Sequence, residues 1–276
     1  MVSEVDARAS AAFGQGKSEA YNKSRPHYPN EAYSFIISHV LRTGPLNIVE
    51  IGAGTGLFTR GLLAHPNWSQ AISKIKAIEP STGMREVFSN MVKDPRASIS
   101  EGTFDRTGIE DEWADVIMIA TAFHWCLDFD AALEEFCRIL KPNGIVCVIF
   151  NLPAGYRIPW VVQLWDYVAR YDESRMHQCE RWRGVYDSPL YNQCFEPSVR
   201  QVFSHDMICN KETVVGHVLS WSVIARLDDE GKKKVKADVL EVIERGKGVE
   251  WADEDEGLLK FPHDVEVAII KRIDTS

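Results

Sequence analysis

The chain predicts an α/β protein: a doubly wound, seven-stranded, mostly parallel sheet with helices on both faces and one antiparallel strand. Three observations predict it. Ile48-Val49-Glu50-Ile51 is a short apolar run that ends in an acid and enters a glycine-spaced turn, Gly52-Ala53-Gly54-Thr55-Gly56. Ile75 to Pro80 repeats the pattern of a short strand closing on an acid, with Glu79 placed 23 positions after Gly56. Asp115 to Ala120 is almost continuously apolar, as a parallel strand covered on both faces must be.

The other elements follow in order. Phe13 to Pro29 is polar and aromatic, and Pro26 and Pro29 break any helix there. Asn30 to Leu41 has the apolar spacing of an amphipathic helix. Ser81-Thr82-Gly83-Met84 opens a helix with Ser81 as its N-cap. Ser98 to Glu101 reads as a short strand before the turn Gly102-Thr103-Phe104. Asp130 is the expected N-cap of a helix through Leu140, which Lys141-Pro142-Asn143-Gly144 stops before a strand from Ile145 to Phe150.

From Asn151 to about Ser198 the strand pattern ceases and aromatic residues gather: Tyr156, Trp160, Trp165, Tyr167, Tyr171, Trp182, Tyr186 and Tyr191. That composition predicts a helical insertion covering a site for an apolar or ring-bearing molecule. Val199 to Ile208 resumes strand patterning, Glu212 to Leu227 and Asp229 to Gly246 read as helices, and Val265 to Ile270 as the last strand. The expected organisation is a single domain over 1–276, with a covering segment at 1–45, a binding core at 46–150, the lid insertion at 151–198 and a completing segment at 199–276.

Composition narrows the function classes. With 276 residues, 45% apolar and 26% charged, this is an ordinary globular chain. A formal net charge of −9 opposes a phosphate-tracking surface, so nucleic acid is not expected as a partner. Lys232-Lys233-Lys234 with Lys236 is the solvated face of a helix. The cysteines show no C-x-x-C pairing, and no metal site is indicated. The first residues lack a signal-peptide layout and no apolar run reaches membrane-spanning length, so the expectation is a cytoplasmic protein without a membrane or an obligatory protein partner.

The spacing of the turn selects its ligand. A nicotinamide-dinucleotide turn would place its third glycine at position 57, where this chain has Leu57. Here the turn closes one residue sooner and is led by Glu50, whose charge repels a diphosphate lying alongside. An acid in that place suits a cation-bearing cofactor. S-adenosylmethionine carries an ammonium and a sulfonium, and its carboxylate can rest on amides at the start of the following helix. Glu79, at the tip of the neighbouring strand, is placed to accept from ribose hydroxyls. Met84 is placed to lay its thioether against the adenine.

Glu50-x-Gly52-x-Gly54-x-Gly56 resembles the first motif of the class I S-adenosylmethionine-dependent methyltransferases. Tyr21 with Arg25-Pro26-His27-Tyr28-Pro29 resembles the N-terminal segment of small-molecule methyltransferases related to the trans-aconitate type. By that resemblance the segment folds over the cofactor, and Tyr21 and Arg25 hold its methionyl carboxylate. Thr121-Ala122-Phe123-His124-Trp125 resembles the family's Ala-Phe-His-Trp stretch, and Gly102-Thr103-Phe104 a turn bordering the adenine, although the acid usual there is represented only by Asp105. The Asn-Pro-Pro-Tyr or Asp-Pro-Pro-Tyr motif of enzymes that methylate amide or exocyclic base nitrogens is missing.

The candidate cofactor residues are Tyr21, Arg25, Glu50, Gly52, Ala53, Gly54, Thr55, Gly56, Glu79, Pro80, Ser81, Met84, Thr103, Phe104, Ala120, Thr121, Ala122 and Trp125. For the acceptor they are Phe13, Tyr28, Trp125, Trp160, Trp182 and Trp221. His124, at a strand tip, is the one nominee for a general base. The expected reaction is methyl transfer to an oxygen or sulfur of a small, largely apolar or aromatic metabolite, by in-line positioning and desolvation. The alternatives are a regulatory protein that binds the cofactor without transfer, and a nicotinamide-dependent oxidoreductase.

Overall fold

The computed structural model describes residues 25–42, 44–155, 157–171 and 180–273. The first half alternates helix and strand. Helix α1 (Asn30–Ser38) precedes β1 (Leu46–Ile51), α2 (Leu57–Ala64), α3 (Pro66–Ala71), β2 (Ile72–Ile78), α4 (Thr82–Met91) and β3 (Ala97–Ser100). Then come β4 (Ala114–Ala120), a 3₁₀ turn (Phe123–Trp125), α5 (Phe129–Ile139) and β5 (Leu140–Pro153). The second half contains α6 (Pro159–Ala169), a second 3₁₀ segment (Trp182–Asp187), α7 (Pro189–Cys194), β6 (Val199–Cys209), α8 (Lys211–Leu219), α9 (Ser222–Ala225) and α10 (Asp229–Arg245). The hairpin of β7 (Glu250–Asp253) and β8 (Leu258–Lys271) follows.

The strands lie in the order β3, β2, β1, β4, β5, β8, β6, and β7 pairs with β8, which makes an eight-stranded sheet where seven strands were expected. The additional strand reads Glu-Trp-Ala-Asp and is mostly exposed, so it carries no apolar alternation that would mark it in sequence. β1 pairs in parallel with β2 and with β4, and β4 with β5, whereas β8 runs antiparallel to both β5 and β6. Strand order reverses between β1 and β4, so their carboxyl ends diverge into a crevice.

Alternation along the strands divides the core. Val49, Ile51, Ile117, Ile119, Val146 and Val148 point to the face covered by Leu133 and Phe136 of α5 and by Tyr191 of α7. Ile48, Val116, Met118, Ile145, Cys147 and Ile149 point to the other, under Tyr33 and Ile36 of α1, Leu62 of α2 and Trp68 of α3. A separate cluster joins α6, α8 and α10 to the start of β8.

Local chemistry explains the boundaries. Ser81 caps α4 as expected, accepting from the Met84 amide at 3.4 Å. The cap of α5 is Asp128 and not Asp130: Asp128 holds the extended backbone before the first helical residue and accepts from the Ala131 amide at 3.0 Å. Asp130 instead accepts from the Ser188 hydroxyl, tying α5 to the start of α7. The helix expected over 212–227 is broken into α8 and α9 because Trp221 between them is extended. Among the described residues no helix is long and apolar enough to cross a membrane, and no group of His, Cys, Asp or Glu is arranged to hold a metal.

Candidate active site

A cleft of about 1060 Å³, partly open to solvent, lies at the carboxyl ends of β1, β2, β4 and β5. Sixteen expected residues line it: Arg25, Tyr28, Glu50, Gly52, Ala53, Gly54, Thr55, Glu79, Pro80, Met84, Thr103, Phe104, Ala120, Thr121, Ala122 and Trp125. Tyr21 and Phe13 lie outside the described residues, as does Tyr156 of the aromatic segment.

The turn after β1 is built by two glycines with different duties. Gly52 has φ +73°, and a Cβ there would stand 2.5 Å from the Ala122 Cβ, so the backbones of the β1 and β4 tips approach as only glycine allows. Its amide donates to the Ile78 carbonyl at 2.8 Å, fastening the turn to β2. Gly56, with φ +77°, does not line the cleft as expected: a Cβ there would meet Val92 at 2.6 Å and Phe88 at 2.8 Å. Its smallness lets α4 pack behind the turn.

Glu79 is buried and held by backbone. Its Oε2 accepts from the Gly54 amide at 3.0 Å and its Oε1 from the Ser81 amide at 2.9 Å. A carboxylate offers about four acceptor positions. Two of these positions are taken by the amides, which fix both oxygens on the cleft wall. Ser81 is not a lining residue; it orients Glu79 through its amide and starts α4 through its hydroxyl.

Glu50 is different in kind. Its Oε2 accepts from the Thr59 hydroxyl at 2.5 Å, while its Oε1 is buried with no hydrogen-bond partner. Burial pushes its carboxyl from 4.5 up to about 8, against the opposing pull of the Thr59 hydroxyl and the Arg60 guanidinium. A cation in the cleft would supply the missing partner of this buried, half-satisfied acid and stabilise its ionised form. An ammonium of S-adenosylmethionine fits that requirement, and the Glu79 oxygens fit a vicinal diol.

On the opposite wall Thr121 has φ +50°, an uncommon conformation for a β-branched residue and the kind of backbone strain that collects at functional sites. Its Oγ1 shares a 2.9 Å hydrogen bond with the Tyr28 hydroxyl. Met84 and Phe104 are buried apolar walls.

Four expectations need correction. His124 does not line the cleft; the 3₁₀ turn directs its ring toward Trp125 and Phe150, at centroid distances of 5.3 and 5.7 Å. Trp160, Trp182 and Trp221 do not line it either, because each is buried in a core cluster: Trp182 stacked on Phe150, Trp160 against Phe261, Trp221 against Trp165. Large aromatics gain most from burial, and these are structural. Trp160→Ala is expected to lower the unfolding free energy by about 3–5 kcal/mol in denaturant titrations while leaving ligand affinity at the cleft unchanged. Of the described residues from 151 to 198, Asn151 alone lines the cleft. It went unnoticed in sequence, as did Pro26, Leu57 and Phe58. The signal for Asn151 was present: it is the first polar residue after the apolar run of β5, level with Thr121 on β4.

Comparison with known proteins gives the class. Residues 49–148 match a family model described as a methyltransferase domain. The chain is 28% identical over 229 residues to an uncharacterised methyltransferase-like protein of Schizosaccharomyces pombe, covering 80% of this chain and 82% of that one. It is 25% identical over 165 residues to the malonyl-[acyl-carrier protein] O-methyltransferase of Yersinia pestis, covering 59% and 57% respectively. A solved structure of Haemonchus contortus phosphoethanolamine N-methyltransferase 2 in complex with S-adenosyl-L-methionine aligns with a TM-score of 0.55 at 12% identity, over 99% of this chain and 60% of that one, a likeness of fold alone. The matched segment contains both glutamates and the glycine turn that joins them, and over it the chain is similar to methyltransferase domains.

Proposed function

We propose that the chain transfers the methyl group of S-adenosylmethionine to an oxygen or sulfur nucleophile of a small, largely apolar or aromatic metabolite. The observation that carries the cofactor assignment is Glu50, a buried carboxyl with one unpartnered oxygen on the cleft wall. The methyltransferase match over 49–148 sets the nicotinamide alternative aside.

Bound in the cleft, the cofactor supplies an electrophilic methyl group on a sulfonium leaving group. The chain's part is to bind, orient and exclude water. Glu50 receives the cationic end, Glu79 accepts from ribose hydroxyls, and Met84 and Phe104 exclude solvent from the base. The described lining contains no His, Lys or Cys, and its two acids are engaged as above. Among the described lining residues no side chain is placed as a base, a setting that suits an acceptor bringing its own ionisation, a carboxylate or thiol over a plain hydroxyl. The O-methyltransferase activity of the Yersinia relative supports an oxygen acceptor.

Methyl-labelled cofactor incubated with a panel of carboxylic acids, thiols and phenols tests this. Label is expected in a carboxylate or thiol product. Binding of S-adenosylmethionine and S-adenosylhomocysteine in calorimetry without transfer to any acceptor would favour the regulatory alternative, and absence of binding to either would end the proposal.

A further inference from the structure

Arg25, Pro26 and Tyr28, just before α1, line the cleft, and Asn151 ties the backbone of this segment to the sheet. Asn151, at the carboxyl end of β5, is buried and lines the cleft. Its Nδ2 donates to the His27 carbonyl at 3.0 Å. Its Oδ1 lies 3.3 Å from His205 Nε2, on β6. An amide oxygen only accepts, so Nε2 of His205 carries the proton, and the amide orientation is fixed from both ends. The Asn151 backbone amide donates to Thr121 Oγ1 at 3.4 Å, the same hydroxyl that meets Tyr28. One residue thus links the segment before α1, the strained tip of β4 and the edge strand.

The geometry points to Asn151 as a positioning residue that clamps residues 25–29 over the cofactor cleft, with His205 as its outer anchor. The clamp sets two cleft-lining side chains, Arg25 and Tyr28, whose backbone has no sheet or helix ladder of its own to hold it. Tyr28 packs edge-on to Phe58 at 5.0 Å and Tyr33 at 6.4 Å, contacts that centre the ring but do not fix the chain leading to it. The side-chain bonds of Arg25 to the Ser220 carbonyl and of Tyr28 to Thr121 hold the two side chains, and the bond from Asn151 to the His27 carbonyl holds the backbone between them. The role in binding rests on the methyltransferase reading; the clamp itself does not.

Asn151→Asp separates the two bonds. The carboxylate has the same shape and still accepts from His205, but it cannot donate to the His27 carbonyl. Hydrogen exchange of the Ala32 amide, which donates to the Pro29 carbonyl at 3.0 Å at the end of the segment, is expected to speed up in the cofactor-free protein by up to about tenfold, the loss of one buried hydrogen bond. The KM for S-adenosylmethionine is expected to rise by about the same factor while kcat stays within about twofold, a split that general destabilisation would not produce. His205→Ala, which leaves the His27 bond in place, is expected to shift exchange and KM in the same direction by about threefold. If Asn151→Asp does not fold, the His205→Ala result decides. Unchanged exchange at the Ala32 amide in the folded variants overturns the clamp. Faster exchange with an unchanged KM overturns the positioning role. Failure of the wild-type protein to bind the cofactor would refute the functional reading and leave the exchange result to judge the clamp alone.

Discussion

Glu50→Gln is expected to make the protein more stable and, at the same time, to weaken cofactor binding severely. In the free protein Glu50 carries a cost: its carboxyl is buried, its Oε1 has no partner, and burial raises its pKa from 4.5 to about 8. The folded chain therefore keeps a proton that the unfolded chain releases. Between about pH 4.5 and 8 the unfolded state binds fewer protons, so stability falls as pH rises through that window, and above it the penalty is complete. Glutamine has no proton to lose and keeps an oxygen for Thr59. Its advantage should be about 1 kcal/mol at pH 5, grow to a few kcal/mol by pH 8, and then level off. Denaturant midpoints of the two proteins at both pH values measure it, and parallel pH profiles would contradict it.

Binding should move the opposite way. A cation at Oε1 needs the ionised acid, so wild-type affinity for S-adenosylmethionine should climb by up to about tenfold per pH unit until about pH 8. The step should release a proton to the buffer. The glutamine variant presents a neutral amide, and a loss on the order of 100-fold or more is expected from removing a buried charge-assisted contact. Stability is here surrendered to function at one oxygen atom, the pattern of a preorganised site.

Much of this arrangement was legible in the sequence because it is local. The β1 run, its glycine turn and Glu79 at the tip of β2 are fixed by spacing along one βαβ unit, and the structure brings them to one cleft. Other features depend on rotation or on distant partners. His124 sits at a strand tip as expected, yet the 3₁₀ turn decides which way its ring faces, and it faces Phe150. Asp128 and Asp130 are equally good caps on paper, and only the Ser188 partner from a remote loop separates them. The tryptophans mislead for a related reason: aromatic composition says that large side chains will be buried, but not in which of three clusters or whether beside a ligand. Asn151 has meaning only through His27 and His205, 124 and 54 positions away.

Glu79→Gln is expected to fail in both respects, the reverse of what the same change does at Glu50. Each Glu79 oxygen already accepts a backbone hydrogen bond, from Gly54 at 3.0 Å and from Ser81 at 2.9 Å. A glutamine must turn its NH₂ toward one of those amides, placing donor against donor in a buried position. Such an unsatisfied pair costs about 1–3 kcal/mol. The loss falls on the glycine turn or on the first turn of α4, the two structures that shape the cleft. The melting temperature should drop accordingly, and the drop should persist at pH 5 as at pH 8, since the clash does not titrate. Cofactor binding should weaken by on the order of 100-fold, because the diol loses a fixed acceptor and the turn facing it is displaced. Adenosine, which carries the diol but no ammonium, separates the two acids: Glu79→Gln should abolish its weak binding, and Glu50→Gln should leave it intact. Equal sensitivity of adenosine to both substitutions would mean that the two carboxyls do not divide the ligand between them.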